Sequence, residues 1–337
     1  ECLVGSEMCI RDRLKELEKI NAQYRDFLDN GKTERECIDT IVNTIEKSGY
    51  RELESLIKEG TALKTGDKVY SVWMNKSIAM FQIGRKPMTE GMNILGAHID
   101  SPRLDVKQNP LYEDGGFAYL DTHYYGGVKK YQWVTIPLAI HGVIVKKDGT
   151  CVEINIGENE DDPVFFVSDL LIHLAQEQLE KKAAKVIEGE ALDIIVGNKP
   201  LLIDKKDKKK DEKEAGKDAV KAGVLDILKE TYDIHEEDFV SAELEIVPAG
   251  KAREAGFDRS MILAYGQDDR VCAYTSMQAM LDSDVTDRTM CCILVDKEEI
   301  GSVGATGMQS HFFENAVAEV MNLAGEYSEL NVRRCLA

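Results

Sequence analysis

The apolar positions of this chain change period several times, and each change marks an element. From Leu14 onward, Leu17, Ile20, Tyr24, Phe27 and Leu28 recur at three- and four-residue spacing, which predicts a helix with one apolar face. A second helix is predicted to start at Thr33, whose hydroxyl can cap it while Glu36 completes a capping box. Cys37, Ile38, Ile41, Val42 and Ile45 continue its apolar stripe. The period then drops to two. Tyr70, Val72 and Met74 alternate with polar neighbours, and Ala79, Phe81 and Ile83 do so after Asn75-Lys76, so this region reads as a β-hairpin. The run 92–97 is short and mostly apolar, as a strand buried on both faces should be, and it ends at His98.

Between about 106 and 249 the style changes. Glycine and aromatic clusters (Gly115-Gly116, Tyr124-Tyr125-Gly126-Gly127) alternate with β-like runs at 140–145 and 152–156. A helix is predicted over 168–185, then a charged run over 205–214 whose composition is that of a solvated loop. After Gly250 the α/β style returns. A buried strand is predicted over 261–265, ending at Gln267-Asp268-Asp269-Arg270, then a helix over 271–281. A further strand over 289–295 ends at Asp296-Lys297-Glu298-Glu299. Three predicted strands of one polarity therefore stop at carboxylates or a histidine. In open α/β sheets, binding sites form beyond the carboxyl ends of strands.

Composition adds bounds rather than identity. A length of 337 residues suggests more than one domain, and 43% apolar with 31% charged residues suits a globular chain with a sizeable core. The net charge of −19 argues against nucleic acid or an anionic membrane as partner, since both repel a polyanion. No window approaches the roughly 20 apolar residues that cross a bilayer. The eight cysteines form no C-x-x-C pair, so neither a disulfide framework nor a structural zinc site is expected, and a reducing cytoplasm suits them. The first thirteen residues lack the apolar run and cleavage site of a signal peptide and are expected to be a non-native leader.

The chemistry concentrates at the strand ends. In His98-Ile99-Asp100, the carboxylate can accept a hydrogen bond from the ring nitrogen not bound to metal. Taken alone, that motif is more often a structural histidine. Asp268-Asp269 offers a carboxylate able to bridge two cations, although a turn or helix N-cap would use the same residues. Glu298-Glu299 would repel each other at the mouth of a buried strand unless a cation sat there, and the alternative is an exposed acidic turn. The conjunction of all three shifts the balance towards a metal centre.

That ordered set resembles the aspartyl aminopeptidase and aminopeptidase I family of co-catalytic zinc exopeptidases. The matching text is Gly96-Ala97-His98-Ile99-Asp100-Ser101-Pro102, Asp268-Asp269-Arg270 and Glu298-Glu299-Ile300-Gly301-Ser302, with Tyr125-Gly126-Gly127 and Trp133 in support. The resemblance spans nearly all of 14–337. It implies two divalent ions, Zn²⁺ foremost with Co²⁺ or Mn²⁺ also suited, hydrolysing N-terminal residues from peptides. His98, Asp268 and Glu299 would be metal ligands, Asp268 bridging. Asp100 would orient His98, and Glu298 would be the general base that deprotonates the attacking water. The implied fold is α/β: a mixed-sheet catalytic domain (14–105 and 250–337) carrying an inserted, β-rich dimerisation domain (106–249) that builds homo-oligomers. A neighbouring subunit would lend a further group, for which Asp169 and His173 are the candidates.

Departures accompany the resemblance. Val134-Thr135-Ile136-Pro137 follows Trp133 where the family has Phe-Asp-Arg-Asp, which points to a bacterial branch. The family's remaining two ligands, an Asp and a C-terminal His, should follow Glu299. Only His311 does, too early to match, and no Asp recurs. The chain is therefore expected to be C-terminally incomplete, with weak metal binding and little activity of its own. Two alternatives stay open: an inactive assembly or binding protein that keeps the fold, and another co-catalytic metallopeptidase or deacylase.

Overall fold

The computed structural model describes residues 2–201 and 218–336, with side chains from Arg13 onward. The charged run 205–214 lies outside the described residues. The chain divides into two compact units, one of residues 1–101 and 251–337, the other Pro102–Gly250.

The first unit opens with α1 (Cys2–Asp29) and α2 (Glu34–Glu46). Thr33 and Glu36 form the full capping box that the sequence predicts. There follow β1 (Arg51–Glu52), α3 (Leu53–Glu59), β2 (Lys68–Trp73), β3 (Ser77–Gln82) and β4 (Asn93–His98). The second unit holds β5 (Arg103–Asp114), β6 (Phe117–Tyr125), β7 (Leu138–Val145), β8 (Cys151–Ile156), α4 (Gln176–Leu179), β9 (Ile194–Gly197), α5 (Ala219–Tyr232) and β10 (Ala242–Pro248). The first unit resumes with β11 (Arg253–Ala255), β12 (Met261–Leu263), α6 (Gln267–Asp282), β13 (Met290–Val295), α7 (Phe312–Leu323) and α8 (Glu329–Leu336).

The first unit is a mixed sheet, ordered β1-β2-β3-β13-β4, between two helical layers. Strand alternation divides the core. Ile78, Met80, Cys292 and Leu294 pack against α1, α2 and α6, whereas Ala79, Phe81 and Cys291 pack against α3, α7 and α8. Because both faces are covered, β3 and β13 are buried along their whole length, which is why β13 reads as an unbroken apolar run. The second unit is a six-stranded antiparallel sheet, β8-β7-β10-β5-β6-β9, with α5 lying on its β5, β6 and β9 strands.

Several expectations change. The helix expected from Leu14 reaches back to Cys2 in backbone form, and its positions Leu14, Leu17 and Ile20 are exposed while Tyr24, Phe27 and Leu28 are buried. The strand 92–97 is not buried on both faces: β4 ends the sheet among the described strands, and Ile94 and Leu95 are exposed. The strand expected over 261–265 shrinks to β12, which pairs only with β11 in a separate two-stranded ribbon. The helix expected over 168–185 breaks into short turns around α4, because only Ala175 in it is buried and no continuous apolar face finds a partner.

Candidate metal centre

β4 and β13 run parallel in register, so His98 pairs with Val295 and both strands end at one level. The chain after β13 then turns through Glu298 and Glu299, while Asp268 lies in the non-helical residues that open α6, following β12 rather than a strand of the main sheet. The imidazole of His98, only 10% exposed at its side chain, points Nε2 at Asp268 Oδ1, 3.5 Å away, and at Glu298 Oε2, 3.6 Å away. Its Nδ1 lies 3.0 Å from the Asp100 carbonyl oxygen and 3.3 Å from Asp100 Oδ1. A carbonyl can only accept, so Nδ1 carries a proton and Nε2 is the nitrogen that faces the carboxylates.

Asp100, fully buried, does more than orient the ring. Its carboxylate accepts hydrogen bonds from the backbone N–H of Glu298 (3.2 Å) and Glu299 (3.1 Å). One side chain thus ties the strand bearing the histidine to the turn bearing the glutamates. Asp268 is held differently: Ser101 Oγ donates to its carbonyl at 2.8 Å. Beneath it the buried Arg270 donates to the Lys32 carbonyl at 2.8 Å. Gly266 lies in the left-handed region at φ 75°, and a Cβ there would stand 1.7 Å from Arg270 Nη1. Glycine is required for the arginine to pass below the loop.

Charge accumulates at the site. Burial pulls the His98 pKa down, but the hydrogen bond and charge of Asp100, with Glu298, outweigh it and raise the group to about 9. Burial, helped by Asp100, Asp268 and Glu298, also raises the Glu299 carboxyl. Both shifts come from negative charge gathered around one imidazole.

Whether the residues fit a metal can be judged from the donors. Two ligands each about 2.1 Å from a tetrahedral Zn²⁺ stand about 3.4 Å apart. The His98–Asp268 separation of 3.5 Å matches that spacing. Among the described residues no group of three or more His, Cys, Asp or Glu side chains already has coordinating geometry. The side chains of Asp268 and Glu298 are 86% and 56% exposed, however, and are free to rotate towards an ion. The imidazole-plus-carboxylate set fits a divalent transition metal.

Asp169 and His173 lie in the second unit, both exposed. Asp169 Oδ1 accepts from Leu170 N and Gln178 Nε2, each at 2.8 Å. Sequence reasoning missed Arg270 and Asp296 as supports. Both stand one or two residues from a singled-out carboxylate, and Asp296 directly ends an apolar strand. No helix among the described residues is long and apolar enough to cross a membrane.

Comparison with known proteins supplies the remaining context. The family model described as aminopeptidase I zinc metalloprotease (M18) matches residues 27–335. The probable M18 family aminopeptidase 1 of Clostridium acetobutylicum is 60% identical over 324 residues, covering 96% of this chain and 68% of that protein. The Borrelia garinii protein of the same description is 44% identical over 317 residues, covering 93% of this chain and 66% of its own length. Among solved structures, the M18 aminopeptidase of Thermotoga maritima superposes with a TM-score of 0.86 at 44% identity, covering 96% of this chain and 68% of that one. Aminopeptidase I of C. acetobutylicum gives 0.83 at 57%, with the same coverage. The chain spans about two thirds of the length of these relatives.

Proposed function

Since the chain belongs to the M18 family of aminopeptidase I zinc metalloproteases, we propose that it carries the metal-binding core of an aminopeptidase that hydrolyses N-terminal residues from peptides. The observation that carries this reading is the convergence of His98 Nε2 on Asp268 and Glu298 from three separate elements. His98, Asp268 and Glu299 would hold two divalent ions, Zn²⁺ first and Co²⁺ or Mn²⁺ also suited, with Asp268 between them. When bound, the ions would supply Lewis-acid charge that polarises the scissile carbonyl and makes water a better nucleophile.

The chain's own groups do the rest. Asp100 keeps the proton of His98 on Nδ1, so that Nε2 stays a donor of electrons. Glu298, its Oε2 3.6 Å from His98 Nε2 and its N–H bonded to Asp100, would take a proton from water and return it to the leaving amine. Three side chains for two ions leave coordination positions open, so the pair should bind weakly to this chain.

The second unit exposes Leu170, Leu171, Ile172 and Leu174 in one short segment that also bears Asp169 and His173. An apolar segment of this kind suits burial against a second copy, and the working form would be a cytoplasmic homo-oligomer acting on peptides rather than nucleic acid or membranes.

Glu298→Gln tests the mechanism. In a chain extended to the length of its relatives, Zn²⁺ content should be unchanged while turnover of an aminoacyl substrate falls by about 10²- to 10⁴-fold. Retained turnover would overturn the general-base role. Absence of chelator-sensitive turnover in the extended chain would favour an inactive binding protein.

A further inference from the structure

The turn that carries Glu298 and Glu299 is held from below by a cluster that has no part in the roles assigned above. Asp296, Ser77 and Glu34 are fully buried, and Lys76 and Thr306 nearly so. Asp296 Oδ1 accepts from Lys297 N at 2.7 Å, and Oδ2 accepts from Thr306 Oγ1 at 2.6 Å. Ser77 Oγ donates to the Thr306 carbonyl at 2.6 Å and accepts from Asp296 N at 3.2 Å. Trp73 Nε1 donates to the Ala305 carbonyl at 2.8 Å. The β2–β3 hairpin thereby fastens both ends of the loop 297–305. Within that loop Lys297 (φ 70°) and Ser302 (φ 60°), neither of them glycine, sit in the left-handed region. Conformations of this kind persist only where surrounding contacts over-determine them.

We propose that Asp296 is a positioning residue, and that the Asp296–Thr306–Ser77 clamp sets where Glu298 and Glu299 meet His98 and Asp268. Asp100 fixes the same turn through the N–H groups of Glu298 and Glu299, so two buried carboxylates grip one short segment. Glu34, fully buried, interacts electrostatically with both Asp296 and Arg270 and so links the clamp to the loop that carries Asp268. Supports of this order around a metal site are worth about 10- to 100-fold in metal affinity. The inference rests on reading the His98 cluster as a metal centre.

The test is a Zn²⁺ titration of the full chain against a competing chelator, using Thr306→Val, Thr306→Ser and, should the valine variant fold poorly, Ser77→Ala. Thr306→Val should raise the Zn²⁺ Kd by about 10- to 100-fold, and Thr306→Ser should return it to within about 3-fold of the unaltered chain. The melting temperature of the metal-free protein should differ little between the two Thr306 variants. An unchanged Kd in Thr306→Val and Ser77→Ala, or an equal loss in Thr306→Ser, would overturn the clamp. If the unaltered chain took up no Zn²⁺, the metal-centre reading would fall and the clamp with it. Normal uptake with indifferent variants would sink the clamp alone.

Discussion

His98, Asp268 and Glu298 could be singled out from the sequence because each follows a run whose apolar pattern ends abruptly. What those residues lean on was hidden. Asp100 accepts from the N–H groups of two residues about two hundred positions away, and Asp296 meets Thr306 and Ser77. Asp296 also has a consequence for stability. Burial, then the charge and hydrogen bond of Glu34, raise its carboxyl to about 7, against a partial lowering by Lys76 and Thr306. In the native state the group keeps its proton to higher pH than it does when unfolded. The native state therefore binds more protons between about pH 4 and 7, and stability falls as pH rises through that window. Asp296→Asn should flatten the fall, as chemical denaturation at a series of pH values would reveal. An identical slope in both proteins would mean that the pair does not titrate there.

At the scale of elements, local signals proved reliable where the chain itself supplies the partners. The Thr33 capping box is closed by Glu36 three residues on, and both bonds are present. Thr33→Ala should cost about 1 kcal/mol, lowering the urea midpoint without altering the slope. An unchanged midpoint would show that tertiary contacts alone hold the start of α2. The hairpin of β2 and β3 was equally legible, since its alternation and its turn lie within a dozen or so residues. Segments that needed a distant partner were misread. The run 261–265 has the composition of a buried strand, but β12 finds β11 rather than the main sheet, leaving Met261 and Leu263 exposed. The run 168–185 was expected to be one helix, but among the described residues only Ala175 in it is buried, and it settles into single turns.

For the whole molecule, the proposed association can be tested through the second unit. Leu171 and Leu174 are 71% and 70% exposed, high for leucines in one short segment. Replacing both with Asp should shift the protein to smaller species in sedimentation velocity, with circular dichroism unchanged. A sedimentation profile like that of the unaltered protein would exclude this segment as the contact.

The sequence by itself determined the α/β class, the strand ends that bear the chemistry and the resemblance to co-catalytic exopeptidases. Period, caps and short motifs are all encoded within a few residues of one another. Only the tertiary structure decided that β4 and β13 run parallel in register, that Asp268 follows a separate two-stranded ribbon rather than a strand of the main sheet, and that Asp100 and Asp296 grip the same turn. The reason is physical: burial and hydrogen bonding across hundreds of residues depend on which surfaces meet, and local pattern leaves that open.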